Sequence, residues 1–237
     1  MQHPPGPEDV RFLQQEVLQL RAPLEDLPAW GADDRPVELG DAHPAVQRVL
    51  ATQRAWSDGT QLIAYRTARQ LALAKDAQDS AERERAQRWC RFMLPMLRAF
   101  GAEQQSLPQA IELMRQVLPD AGAAFAACLL ELRNELDAAR EAEADAQRRM
   151  AQLRYLGTSI ALAAKVDPQL PEEVAEDYLR VAMLTLLAWA WARIERAAPP
   201  DGARWSAPAS AFRRWVLPEF DMRLAMVKRA CEGLMSR

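Results

Sequence analysis

FAACLLELRNELDAAREAEADAQRRMAQLRYLGTSIALAA, residues 125–164, is the longest periodic run in the chain. Phe125, Leu129, Leu132, Leu136, Ala139, Glu143, Ala146, Met150, Leu153, Gly157, Ile160 and Ala164 follow one another at alternating steps of four and three. On a helix that turns every 3.6 residues these positions share one face, the pattern by which bundle helices or coiled coils bury a seam. The spacing predicts one helix over the whole run. Its middle, NELDAAREAEADAQRRM, mixes acids and bases and reads as a solvated face.

Downstream, Pro168 to Pro171 marks a tight turn, and Glu172, Glu173 and Glu176 suit the positive end of the next helix. VAMLTLLAWAWA, Val181 to Ala192, is apolar nearly all round, so this helix is expected to be the most buried, with Trp189 and Trp191 as core or subunit-interface aromatics. Ala198 to Pro208 reads as a loop. A last helix then presents Phe212, Trp215, Val216, Met222, Met226, Val227, Ala230 and Leu234, with a bend at Pro218.

Upstream, Gln109 to Leu118 is a short helix stopped by Pro119 and Gly122, preceded by a polar seam, FGAEQQSLPQAIEL, Phe100 to Leu113. Before the seam, Ser80 is expected to cap a helix carrying Trp89, Phe92, Met93, Met96, Leu97 and Phe100, bent at Pro95. Another helix starts at Asp41 or His43, with Pro44 tolerated in its first turn. Val46, Val49, Leu50, Gln53, Trp56, Thr60, Ile63, Thr67, Leu71 and Ala74 carry it to about Lys75, and Gly59 marks a close approach. Residues 1–42 form a Pro-rich segment. It holds one short helix, with the stripe Val10, Leu13, Val17, Leu20 and Leu24, then a loop that Leu27 and Trp30 pin to the core. The fold class is therefore all-α, an up-down helical bundle over residues 43–237.

Composition excludes several functions. With 49% hydrophobic and 27% charged residues, the 237-residue chain can bury a large core. A formal charge of -3 with interspersed signs leaves no basic face for nucleic acid. No apolar run reaches the roughly 20 residues of a membrane span. The N-terminus lacks the pattern of a secretory signal, so a cytoplasmic protein is expected. Cys90, Cys128 and Cys231 lie on apolar helical faces and read as reduced, buried thiols. The two histidines, His3 and His43, cannot supply a metal cluster or a Ser-His-Asp arrangement, and no Gly-rich phosphate loop occurs. His43 reads as a helix starter.

The run from His43 to Phe100 resembles the first helices of the C-terminal domain of acyl-CoA dehydrogenases, specifically the long bacterial type with a C-terminal extension. The likeness lies in His43-Pro44, in Arg54-Ala55 with Gly59, in Tyr65-Arg66-Thr67-Ala68, and in Leu94-Pro95 leading to Arg98-Ala99-Phe100. PQAIELMRQVLPDAG, Pro108 to Gly122, is similar to the family's Gln-Ala-Leu-Asp-Leu run, and FRRWVLPEFDMRLAMVKRACEGLM is similar to its closing helix. The resemblance implies a helical bundle with an additional C-terminal helical hairpin, of the kind that in the family forms much of the oligomer contact.

In that family FAD and a fatty acyl-CoA thioester lie between this bundle and two further domains, and a glutamate removes the α-proton. Glu103 falls in the register of that base, with Gln104 and Gln105 where the family has Gly-Thr. Only Gly101 to Leu107 stands where the family keeps its flavin-contacting motif, so Glu103 reads as a solvated loop acid. No catalytic, cofactor-binding or metal residue is assigned; FAD is expected only if a partner supplies the site. The expected function is a non-catalytic interaction subunit, pairing as a homo-oligomer or with a full-length acyl-CoA dehydrogenase relative. The alternatives are a component of a split or heteromeric FAD-dependent dehydrogenase, and a helical acyl- or acyl-CoA-binding protein.

Overall fold

The computed structural model describes residues 43–101, 106–198 and 203–235; the expected N-terminal helix and loop lie outside them. The described residues form an all-α bundle. In chain order the helices are α1 (Pro44–Asp76), α2 (Ser80–Gly101), α3 (Leu107–Val117), α4 (Ala123–Asn134) and α5 (Glu141–Ala163), then α6 (Leu170–Glu173), α7 (Ala175–Ala197), α8 (Ala203–Ala211) and α9 (Pro218–Met235). A 3-10 turn, Leu118–Asp120, follows α3, and a π-helical segment, Phe212–Val216, separates α8 from α9.

α7 is the axis. Every residue from Val181 to Ala192 is buried, and α1, α3, α5 and α9 pack around it. A helix that is apolar on all sides loses that area to water unless neighbours surround it, which is what fixes α7 at the centre. α1 meets it closely. At Gly59 an added Cβ would stand 2.6 Å from Leu187 Cδ2 and 3.3 Å from Trp191 Nε1. One turn away, Trp191 Nε1 donates to the Ala55 carbonyl at 2.9 Å, satisfying a polar atom inside the core. Of the expected stripe of α1, Thr60, Ile63, Thr67, Leu71 and Ala74 are buried, whereas Val46, Leu50 and Trp56 are partly covered and Val49 and Gln53 are exposed.

His43 starts α1: its Nδ1 accepts from the Ala45 N–H at 3.2 Å. α2 is capped one residue earlier than expected, by Asp79, whose Oδ1 accepts from the Ala81 N–H at 3.0 Å. Pro95 and Pro208 lie inside helices, and α8 occupies residues expected to be loop. At Pro218 the ring removes a donor and crowds the preceding turn. The chain meets this with i to i+5 bonding, Leu217 N–H donating to the Phe212 carbonyl at 2.8 Å, before α9 begins.

The largest departure lies in residues 125–164. They form two helices, α4 and α5, joined by a turn at 135–140. Asp137 accepts from the Ala139 N–H at 3.0 Å, an Asx turn that competes with helix. Glu143, a position of the four-three seam inside a stretch read as a solvated face, is buried at 1% exposure. Its Oε2 accepts from the Asp137 N–H at 2.5 Å and from Arg196 Nη1 at 3.2 Å, tying the turn to α5 and α7.

Candidate functional site

Beside the seam, a cleft of about 330 Å³ opens between the end of α2, the start of α3, and α7 and α9. Glu176, Leu179, Arg180 and Met183 line it from α7, at spacings that put them on one face, and Glu219 and Arg223 face them from α9. Ala99 and Ser106 close it on the seam side. The lining sets the apolar Ala99, Leu179 and Met183 among the charged Glu176, Arg180, Glu219 and Arg223.

These charges are matched among themselves. Arg180 binds Glu219 through both ends of its fork, Nε to Oε1 at 2.9 Å and Nη2 to Oε2 at 2.8 Å. Its guanidinium carbon also lies 4.4 Å from the Trp56 ring centroid, so α1 supports the pair from below. Arg223 donates Nη1 to Asp177 at 2.5 Å and Nε to Glu219 at 3.3 Å. Ser106 Oγ donates to Glu176 at 3.0 Å and so links α3 to α7. Partial burial works against ionisation of Glu219, but the hydrogen bonds and charges of Arg180 and then Arg223 outweigh it and hold the carboxyl below its usual range. A carboxylate held low is a poor proton acceptor. The cleft therefore acts as an electrostatic clamp on three helices.

Elsewhere, burial pushes the Asp58 carboxyl up against the pull of Arg204 and Arg54. Arg66 is held between Trp89 and Trp189, its guanidinium carbon 4.5 and 5.2 Å from the ring centroids, and is paired with Glu135 at 2.5 Å. Cys90, Cys128 and Cys231 are buried thiols outside any disulfide, as their apolar settings implied. His43 caps its helix. His3 and Glu103, with Gln104 and Gln105, lie outside the described residues. Among the described residues no group of three or more His, Cys, Asp or Glu could hold a metal ion.

Sequence reasoning missed the clamp. Glu176 stands in the first turn of α7, as its charge suits, but it and Asp177 also reach other helices. The available signal was Arg180 set directly against the apolar run that begins at Val181, a charge that burial tolerates only with a partner. Nothing local to it names Glu219, 39 residues on.

A second feature is the outer face of α9. Phe220, Leu224, Val227 and Cys231 face the core, while Trp215, Met222 and Met226 are about half exposed. The sequence assigned these three to the buried stripe together with Phe212 and Val216; the structure places them on the opposite side. Residues 220 and 222, or 224 and 226, lie about 200° apart around a helix, so both rows cannot face one core.

Among the described residues no single helix is long and apolar enough to cross a membrane. One pair bent by 100°, Leu107–Asp120 with Ala123–Asn134, passes on length and composition together. Its apolar residues Leu113, Val117, Phe125, Leu129 and Leu132 are buried in the bundle. No model of a known protein family matches the chain, and no curated protein is similar to it in sequence.

Proposed function

We propose that this chain is a non-catalytic helical subunit that works by association, with a second copy of itself as its first partner, and that its bundle is similar to the C-terminal helical domain of acyl-CoA dehydrogenases. The observation that carries the reading is the half-exposed Met222 and Met226 on α9, whose other side is fully engaged in the core, together with the half-exposed Trp215 of the π-helical segment just before it. Apolar side chains kept outside a well-filled bundle are what an association surface is made of. The clamp supports the same reading, since its acids and bases neutralise one another and none is poised for proton or hydride chemistry.

The test is the purified chain in solution. Light scattering should give a mass above the 26.7 kDa of one chain, rising with concentration. Its absorbance between roughly 350 and 500 nm should be flat, because a bound flavin colours its protein. A yellow protein that oxidises an acyl thioester would overturn the reading, and so would a strict monomer that binds no partner.

A further inference from the structure

The outer face of α9 carries more than exposure. Pro218, Met222, Ala225 and Met226 are all exposed and recur at steps of three and four, or a turn apart, along one side of α9; the exposed Trp215 stands just before them in the π-helical segment, and the row ends at the exposed Gly233. Arg48 and Arg214 lie over the Trp215 ring at 4.8 and 4.9 Å, holding the indole on the surface. At the far end, a Cβ built on Gly233 meets nothing within 4 Å. The row thus has a projection at one end and an open position at the other.

We propose that two copies of the chain pair through this face, with their α9 helices antiparallel about a two-fold axis between Met222 and Met226. This deepens the association reading and rests on it. In that register Met222 of each copy meets Met226 of the other, and Trp215 lies over the space at Gly233. Charge selects the same direction. Arg214 at one end comes opposite Glu232 at the other, and Asp221 comes opposite Lys228. A parallel pairing would set Arg214 against Arg214, Arg229 against Arg229 and indole against indole, and would align the helix dipoles. The surface complements itself when one copy is reversed, as a two-fold interface requires. It is also small. An 18-residue helix is about 27 Å long, and one face of it falls short of the roughly 800 Å² per partner of a tight complex. A dissociation constant on the order of 10 µM is therefore expected.

Sedimentation of the full chain through that concentration range tests the proposal. The unaltered protein should dimerise, and Met222→Glu with Met226→Glu should weaken the dimer at least about tenfold while leaving helix content and Tm unchanged, both side chains being exposed. Met222→Cys and Met226→Cys chains supply the register. On mild oxidation a mixture of the two, both carrying Cys231→Ser so that the thiol near the end of α9 does not compete, should give more disulfide-linked dimer than either alone. A chain that stays monomeric at every concentration would overturn both this proposal and self-association. A dimer indifferent to the two glutamates would overturn this surface alone, and stronger crosslinking of either variant with itself would overturn the antiparallel register.

Discussion

Glu143 is the residue on which the α4–α5 turn depends. Its carboxylate is buried, accepts from the Asp137 N–H and from Arg196, and has Arg140 Nε 3.9 Å away. Arg196 also donates to the Glu135 carbonyl at 3.1 Å, so removing the acid loosens two anchors of one turn. Breaking a buried ion pair on one side costs roughly 3–5 kcal/mol where the partner stays buried. Arg196 is one-third exposed and can return to water, so Glu143→Ala should lose about 2 kcal/mol in urea unfolding. Hydrogen exchange should quicken at residues 135–140 before anywhere else. At Glu219 the effect is on pH. Its folded-state value is lowered, so its contribution is complete above the unfolded carboxylate value near 4.3 and fades as pH falls through the lower folded one. Because the group is partly exposed, solvent screening limits the gain to about 1 kcal/mol. Glu219→Gln should lower Tm at neutral pH and flatten its decline as pH falls below the ordinary carboxylate range; an unchanged acid limb would show that the clamp contributes nothing.

Each helix end tells how much of the structure could be read in advance. α7 was legible because its apolar run is long and unbroken, and α1 because Ala55 to Ala74 hold one face with Gly59 at the crossing. The 125–164 run was not, because a six-residue turn leaves the four-three spacing intact across it. Leu136 is buried on the turn and Glu143 behind it, so periodicity alone reads through the break. α9 misled for a related reason: two apolar rows on opposite sides both obey helical spacing, and only the packing of α7 and α5 against it says which is the core side. The clamp pairs residues far apart in sequence, and no local pattern encodes that. The start of α4 shows the opposite case. Ala121 and Gly122 take φ of 53° and 83° after Pro119, a turn that Gly adopts without strain. Gly122 has no side chain to cap the helix, so Asp120 does it from two residues back, Oδ2 accepting from the Ala124 N–H at 2.8 Å and Oδ1 from the Gly122 N–H at 3.1 Å. Asp120→Ala should cost about 1 kcal/mol, and Asp120→Asn less than half of that, measured by urea titration. Equal losses would mean that charge rather than capping matters there.

Across the whole molecule one continuous core joins α1 to α9, and the three thiols sample it at different depths. Cys90 in α2 and Cys128 in α4 are enclosed by helices on several sides, whereas Cys231, also buried, sits one turn from the end of α9. Thiol reagents attack the thiolate, so both access and ionisation control the rate. Burial first, and then the nearby Glu131, push the Cys128 thiol up to about 12, leaving on the order of one part in 10⁴ ionised at pH 8 even if reagent reached it. Burial and then Glu232 raise Cys231 as well. Native reactivity should therefore follow opening of the bundle. In denaturant all three cysteines should react at once with an aromatic disulfide reagent. In native buffer Cys231 should react first, through fraying of the last turn, while Cys90 and Cys128 share one slow rate that rises with urea as global unfolding does. Equal and rapid labelling of all three in buffer would mean that the helices do not close over a common interior. A Cys128 much faster than Cys90 would instead place an opening unit at α4, on the near side of the turn that Glu143 holds.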